Sequence, residues 1–189
     1  TPIFSPDSKQ MAYLAIDNDK WRMVLDGKAG KKYDEIRDLS YTPDSSQTLL
    51  TVKKGDKWTA LIDGKAGPKY DNIFLPSYSM DSKHYACIAK KGEKLFMVYD
   101  GKEGTSYDFI TLAQFSEDSR HLTYMAKKAE KWLVVKDGKE SKEYDGVALP
   151  VFSPDSKHLA FAALDGIKWF VVVDGVAGTE VFPGFLKGS

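Results

Sequence analysis

Five aspartates, Asp7, Asp44, Asp81, Asp118 and Asp155, stand 37 residues apart, and each sits in a short aromatic-Ser/Thr-x-Asp-Ser segment. A second anchor keeps the same step: Asp26-Gly27, Asp63-Gly64, Asp100-Gly101, Asp137-Gly138 and Asp174-Gly175. A fixed period of this length means that one supersecondary unit is built five times and that its copies must cover one another. Five such units account for nearly all 189 residues.

Within one unit the residue types specify strands and turns. Pro6-Asp7-Ser8-Lys9 combines a proline that sets φ with side chains that bond to the backbone ahead of them. Met11–Ile16 is an apolar run of strand length, and Asp17–Lys20 is a polar turn. Trp21–Leu25 alternates like a strand, and Asp26-Gly27 is the hairpin signal. Tyr33-Asp34-Glu35-Ile36 reads as a fourth, more polar strand. The other units repeat the plan, with second strands at Thr48–Val52, Tyr85–Ala89, Leu122–Ala126 and Leu159–Ala163. No apolar set keeps a helical period for three turns.

An isolated four-stranded sheet of this size cannot cover both of its faces, whereas sheets packed face to face around an axis cover each other. The expected fold is all-β: a five-bladed β-propeller with four antiparallel strands per blade. It would form a single domain over residues 1–189, with blades near 1–37, 38–74, 75–111, 112–148 and 149–189. Each blade is contiguous in this reading, so ring closure would rest on packing of the first blade against the last; five units of a larger ring is the alternative. The last unit departs from the pattern, with Val181-Phe182 where Tyr-Asp is expected, and Phe182 or Phe185 is expected to pack on a neighbouring sheet.

The segments Phe4-Ser5-Pro6-Asp7 and Phe152-Ser153-Pro154-Asp155 resemble the WD40-like propeller repeat of the TolB type. Tyr41-Thr42-Pro43-Asp44, Tyr78-Ser79-Met80-Asp81 and Phe115-Ser116-Glu117-Asp118 match it more loosely. That family usually carries Gly after the Asp. Here Ser8, Ser45, Ser82, Ser119 and Ser156 stand there, so the turn is expected to need no positive φ at that residue. The resemblance implies a propeller used as a binding platform, a periplasmic accessory protein or a substrate gate of a peptidase. A periplasmic or secreted location is favoured by it, while the opening Thr1 points to a trimmed chain whose compartment is not readable.

Composition narrows the function classes. Twenty-seven basic residues balance 27 acidic ones, so no global field attracts nucleic acid or an anionic membrane. No apolar run approaches the roughly 20 residues that span a bilayer as a helix, so membrane insertion is not expected. A single cysteine, Cys87, excludes an internal disulfide; it stands where other units have Tyr13, Leu50, Tyr124 and Phe161, so it should be a buried, unreactive core residue.

Candidate chemistry dissolves into the repeat. His84, His121 and His158 share one position with Gln10 and Gln47, which suits a hydrogen-bonding role that Gln can also fill; ligands on one zinc must each lie within roughly 2 Å of it. The repeated aspartates cap turns. Asp17-Asn18-Asp19 lacks the glycine and distant glutamate of a calcium loop. Trp21, Trp58, Trp132 and Trp169 hold one strand position with Leu95, which points to packing between blades; a ring of exposed tryptophans would instead stack on sugars. Lys20, Lys57, Lys94, Lys131 and Lys168 precede the third strand, and Lys28, Lys65, Lys102 and Lys139 follow the Asp-Gly turn; solvated loop tips are expected for both sets. No nucleophile elbow, phosphate loop or metal cluster is present, so neither a cofactor nor a metal is expected.

An active site needs residues that break the repeat. The breakers Arg37, Asp38, Gln114, Glu117 and Glu180 form no evident acid/base or nucleophile pair, and no enzymatic activity is expected. The segments entering each first strand do vary between units and carry apolar residues. The candidate partner-binding residues are therefore Arg37, Asp38, Phe74, Leu75, Thr111, Leu112 and Leu149, for a protein or peptide partner. A small molecule or glycan bound in repeated pockets, or a role as the propeller part of a larger enzyme such as a peptidase, are the alternatives.

Overall fold

The computed structural model describes residues 1–111 and 113–179, with the side chain of Leu149 outside that description. Phe182 and Phe185 therefore lie outside the described residues. Among those described there is no helix, and the strands form five antiparallel sheets in simple sequential order. The first sheet is Ile3–Phe4, Met11–Asp17, Lys20–Leu25 and Lys28–Ala29. The second is Glu35–Tyr41, Thr48–Lys54, Lys57–Ile62 and Lys65–Ala66. The third is Asn72–Tyr78, Tyr85–Lys91, Lys94–Tyr99 and Lys102–Tyr107. In the fourth, the first strand is split into Phe109–Ile110 and Gln114–Phe115, followed by Leu122–Lys128, Lys131–Lys136 and Lys139–Glu140. The fifth is Gly146–Phe152, Leu159–Asp165, Lys168–Val173 and Val176–Ala177. These are the five four-stranded blades the 37-residue period demands. The chain divides into two compact units: Thr1–Glu93 with Val98–Glu103, and Lys94–Met97 with Gly104 onward.

One boundary differs from the sequence reading. Glu35 and Ile36 do not finish the first blade; they open the second, pairing with Lys53 and Val52. Tyr33 alone bridges back, to Trp21, as Tyr70 does to Trp58 and Tyr144 to Trp132. In blades 1, 2 and 4 the fourth strand is thus a two-residue ladder plus one bridge, whereas in blade 3 it runs unbroken over Lys102–Tyr107. Its Tyr-Asp residues are the point where the chain crosses to the next blade.

Packing follows from the two-residue period of the strands. In the first unit, Leu14, Trp21, Met23 and Tyr33 of blade 1 meet Ile36, Leu50, Val52 and Leu61 of blade 2. The other face of blade 2, with Leu49, Trp58, Ala60 and Tyr70, meets Ile73, Tyr85, Cys87, Ala89 and Val98. In the second unit, Val134 and Tyr144 meet Leu159, Phe161, Ala163 and Val172. Alternate residues of one strand are therefore buried in opposite seams, and Thr48–Thr51 and Val52 are all buried. Each large aliphatic side chain so enclosed contributes roughly 1.5–3 kcal/mol. The tryptophan position does pack: Trp58 is 4% exposed.

Polar ties fix how the seams close. In each Ser/Thr-x-Asp-Ser turn the first hydroxyl donates to the aspartate, as Ser5 Oγ does to Asp7 Oδ1 at 2.7 Å and Thr42 Oγ1 to Asp44 Oδ1 at 2.7 Å. The same aspartate accepts the N–H two residues on, from Lys9 at 3.1 Å and Ser46 at 2.9 Å, so it caps the turn as expected. The serine after it does not behave as expected. Ser8, Ser45, Ser82, Ser119 and Ser156 all adopt φ between 60° and 66°. This is the left-handed region that costs an L-residue on the order of 1 kcal/mol. The compensation is a contact glycine cannot make. Ser45 Oγ accepts the Asp7 N–H at 3.0 Å, Ser82 Oγ that of Asp44 at 2.9 Å, and Ser156 Oγ that of Asp118 at 3.1 Å. Each is a bond from one blade to the next.

A second tie sits at the crossover. Asp34, Asp71 and Asp108 each pair through one oxygen with the lysine opening the preceding third strand, Lys20, Lys57 and Lys94. Asp145 does the same with Lys131 at 2.6 Å. The other oxygen accepts the backbone N–H of the following blade's hairpin turn: Gly55 at 2.6 Å, and Gly92, Ala129 and Gly166 at 2.7 Å. These lysines are ion-paired rather than merely solvated, because the Tyr-Asp carboxylate stands beside them. Lys28, Lys65 and Lys102 remain exposed at their hairpins.

Two predictions follow from these ties. Ser82→Ala keeps the strained φ and loses the hydroxyl, so it should lower stability by about 1–3 kcal/mol, whereas Ser82→Gly relieves the strain and should cost clearly less. Equal melting temperatures for the two variants would contradict this account. The second concerns acid. Lysine pairing first, and the backbone N–H second, hold the Asp34, Asp71, Asp108 and Asp145 carboxyls below the usual range. A depressed folded-state pKa contributes stability that is complete above the unfolded value of about 3.9 and is lost as pH falls through the folded one. The melting temperature should therefore be level with respect to these groups from pH 7 to about 5 and fall below about 4. Asp145→Asn should be less stable at neutral pH and show a shallower acid limb in the same scan.

Candidate functional site

The varying segments at the first strands are bulges inside those strands. The register passes from Ile36↔Val52 to Leu39↔Leu50, so Arg37 and Asp38 together oppose one residue. Leu75 and Pro76 do so between Phe74↔Ile88 and Ser77↔Ala86. Leu149 and Pro150 do so between Ala148↔Ala162 and Val151↔Ala160. A proline has no N–H for the ladder, and a bulge is where a strand accommodates it. In blade 4, Thr111 replaces part of the ladder with its hydroxyl, which accepts the Met125 N–H at 3.0 Å.

The bulges bring some of the expected residues together and not others. Arg37 and Phe74 belong to neighbouring first strands of one unit. Arg37 Nη1 donates to Asn72 Oδ1 at 3.0 Å and to the Ile73 carbonyl at 3.3 Å, and the guanidinium lies 4.0 Å from the Trp58 ring centroid. It is a clasp from blade 2 onto blade 3. Asp38 and Phe74 are half-buried beside it. Leu75 is different: its φ is 49° and its side chain is 53% exposed. The bulge places this leucine in the left-handed region, which disfavours an L-residue, and leaves its apolar side chain turned outward. Thr111 belongs to the second unit, and Leu112 lies outside the described residues.

Next to Arg37 the first unit holds an open cavity of about 570 Å³, lined by Thr1, Ile3, Leu14, Ile16, Trp21, Arg37 and Leu39. Ile3, Leu14, Ile16, Trp21 and Leu39 give it apolar walls, and Thr1 and the Arg37 cation complete the lining. Sequence reasoning missed it, although a signal was present. Ile16 is 61% exposed and stands where the next three units carry Lys53, Lys90 and Lys127.

The histidines are hydrogen-bonding residues. Nδ1 of His84, His121 and His158 lies 2.7, 2.7 and 2.6 Å from the Oδ2 of Asp100, Asp137 and Asp174. The other oxygen of each aspartate accepts the N–H of Tyr85, Leu122 or Leu159 at the start of the second strand. His84 also stacks on Tyr99 at 5.4 Å and His121 on Phe152 at 6.0 Å. Among the described residues no three His, Cys, Asp or Glu side chains gather as metal ligands would.

No protein-family profile matches the sequence, and no curated protein is similar to it. Solved structures are. TolB from Acinetobacter baumannii is 15% identical with a TM-score of 0.49, over 96% of this chain and 54% of that one. The β-propeller domain of the Trilobed protease from Pyrococcus furiosus is 15% identical with a TM-score of 0.49, over 100% and 69%. A eukaryotic initiation factor is 12% identical with a TM-score of 0.58, over 97% and 55%. The fold is a β-propeller of five blades. At these identities the likeness concerns the fold alone, and the chain spans only 54% of TolB's length and 60% of that of Kuenenia stuttgartiensis hydrazine synthase, another match.

Within this propeller Cys87 is 2% exposed in the seam of blades 2 and 3, and burial pushes its thiol up to about 12. A thiol reagent at pH 7.5 should leave the native protein unlabelled for hours and modify one site at once in denaturant. Rapid labelling of the native protein would show that the seam opens.

Proposed function

We propose that this chain is a non-catalytic propeller module that binds an extended peptide or protein segment along the first-strand bulges of its first unit. The observation that carries the reading is Leu75, an apolar side chain held outward at a strand bulge in a disfavoured backbone conformation. The groove of Ile3, Leu14, Ile16, Trp21 and Leu39 supports it, being wide enough for an apolar side chain. Arg37 links the two features, lining the groove while bonded to the carbonyl of Ile73, two residues before Leu75. Its cationic edge favours an acidic group on the segment beside the apolar anchor. The reading is non-catalytic because Arg37 is committed to a clasp and, among the described residues lining the groove, no acid/base pair is present.

Selection of a random-peptide display library against the purified chain tests this. Selected peptides should share an apolar residue near an Asp or Glu. Their affinity should fall at least about tenfold in Ile16→Ser and in Leu75→Ser, since losing a buried apolar contact is worth roughly 1–3 kcal/mol. Both positions are exposed, so neither change should disturb folding. Peptides that bind both variants as tightly as the parent, or a library that yields none, would overturn the reading.

A further inference from the structure

Blades 2 to 5 open in one way. The chain enters them as Asp34-Glu35-Ile36, Asp71-Asn72-Ile73, Asp108-Phe109-Ile110 and Asp145-Gly146-Val147. In each triplet the aspartate N–H donates to a carbonyl of the second strand, that of Lys53, Lys90, Lys127 or Leu164, at 2.9–3.0 Å. Its carboxylate accepts the N–H of the hairpin turn beyond, at Gly55, Gly92, Ala129 or Gly166. The closing Ile or Val pairs with Val52, Ala89, Ala126 or Ala163, all of them fully buried.

Blade 1 is built differently. Its first strand, Ile3–Phe4, pairs with Ala12 and Met11 and reaches no further. Among the described residues no ladder runs along that side of Leu14–Asp17. Ala15, in the place of Val52, is only partly buried. Among the described residues no aspartate N–H meets the Ile16 carbonyl, in the place of Lys53, and no carboxylate meets the Asn18 N–H, in the place of Gly55. Asn18 nonetheless holds φ at 51°, as Gly55 holds 64° and Ala129 48°, so its turn has the form that receives a carboxylate elsewhere. The apolar groove opens along this same edge, with Leu14 and Ile16 in its wall and Trp21 the cross-strand partner of Ile16. Blade 4 shows what such a tryptophan takes. Phe109, Lys127 and Trp132 form one cross-strand row there, and the Phe109 ring meets Trp132 edge to face at 5.7 Å. Trp21 stands in the place of Trp132, and Ile16 in the place of Lys127 makes the row apolar.

We propose that an extended segment of a partner protein completes blade 1 by strand addition, running antiparallel to Met11–Asp17 and carrying the triplet Asp-Phe-Ile. The proposal rests on the peptide reading of the first unit and names what enters its groove. The aspartate N–H bonds to the Ile16 carbonyl, and the carboxylate takes the Asn18 N–H in a charge-assisted bond. The phenylalanine seats on Trp21 and Ile16, and the isoleucine pairs with Ala15. Main-chain bonds supply affinity and alternate side chains supply selectivity. Asp17, beside the entering carboxylate, is itself paired with Arg22 at 2.7 Å and Lys32 at 3.0 Å. A second protein is the source because the triplets of blades 2 to 5 are laddered in their own sheets and residues 180–189 contain no aspartate.

The probe is an acetylated, amidated peptide with the sequence of residues 105–111, titrated into the whole chain by calorimetry at pH 7. It should bind saturably. Phe109→Ser or Asp108→Ala within the peptide, or methylation of its Asp108 nitrogen, should each weaken binding at least about tenfold, and none of these changes alters the folded chain. Amide exchange at Leu14 and Ile16 should slow in the complex. In blade 4 both backbone groups of Met125, in the place of Leu14, bond to Thr111 of the first strand, and Ile16, two residues on from Leu14, faces the same edge. A peptide that lies in the groove without joining the sheet would leave those amides unchanged. No saturable binding, full binding of the N-methylated peptide, or unchanged exchange at Leu14 and Ile16 would each overturn strand addition. Library peptides that depend on Ile16 and Leu75 would then still uphold the peptide reading, whereas a library that yields none removes both.

Discussion

Burial of the second strand from both sides is the condition on which this architecture rests. A sheet with only four short strands has too little apolar area on one face to offset the conformational entropy of ordering it. Residues such as Leu49 and Leu50 are adjacent in sequence, yet they are buried in different seams. Blade 2 therefore stabilises two neighbours, and the seam rather than the single sheet is the cooperative element. Apolar packing alone would let the sheets slide. The serine and aspartate ties remove that freedom at both ends of the seam, because each joins a backbone N–H to a side chain of the adjoining repeat at one fixed register.

This explains a choice that looks unfavourable locally. A glycine after the turn aspartate would adopt φ near 60° without strain. The chain uses serine at all five places instead, and the hydroxyls of Ser45, Ser82 and Ser156 each accept an N–H from the preceding blade. The sequence reading went the other way, inferring from the missing glycine that no positive φ was needed. Conformational preference is a property of one residue, whereas the compensating bond comes from a residue 38 positions away. No local rule contains it. The crossover was misread for a related reason. Tyr33-Asp34-Glu35-Ile36 is continuous as a pattern, and only the partner of each residue shows that the chain changes blades between Asp34 and Glu35.

What the residues did make legible was everything the repeat states five times: the period, the four strands, the Asp-Gly hairpins and the capping aspartates. The hydrogen-bonding role of the histidines was legible too, since glutamine stands in for them in two units. The bulged segments were found because they vary, but variation alone did not separate Arg37, which is consumed by a clasp, from Leu75, which is turned outward. The apolar groove was missed because its residues come from four strands of two blades. Its trace in the sequence is one substitution, Ile16 at a position that is lysine in the next three units.

Function in such an array must come from departures of this kind. A residue that recurs in every blade is answering a demand that every blade makes, for a turn, a seam or a crossover. A residue that departs from the set has been released from that demand or given another. Ile16 illustrates this: an apolar side chain stands at an exposed site where the next three units carry lysine. The scaffold tolerates it because the serine and aspartate ties lie at the turns and crossovers. Stability and binding are thus written in different residues of the same repeat, which is why the five copies can hold one fold while their surfaces diverge.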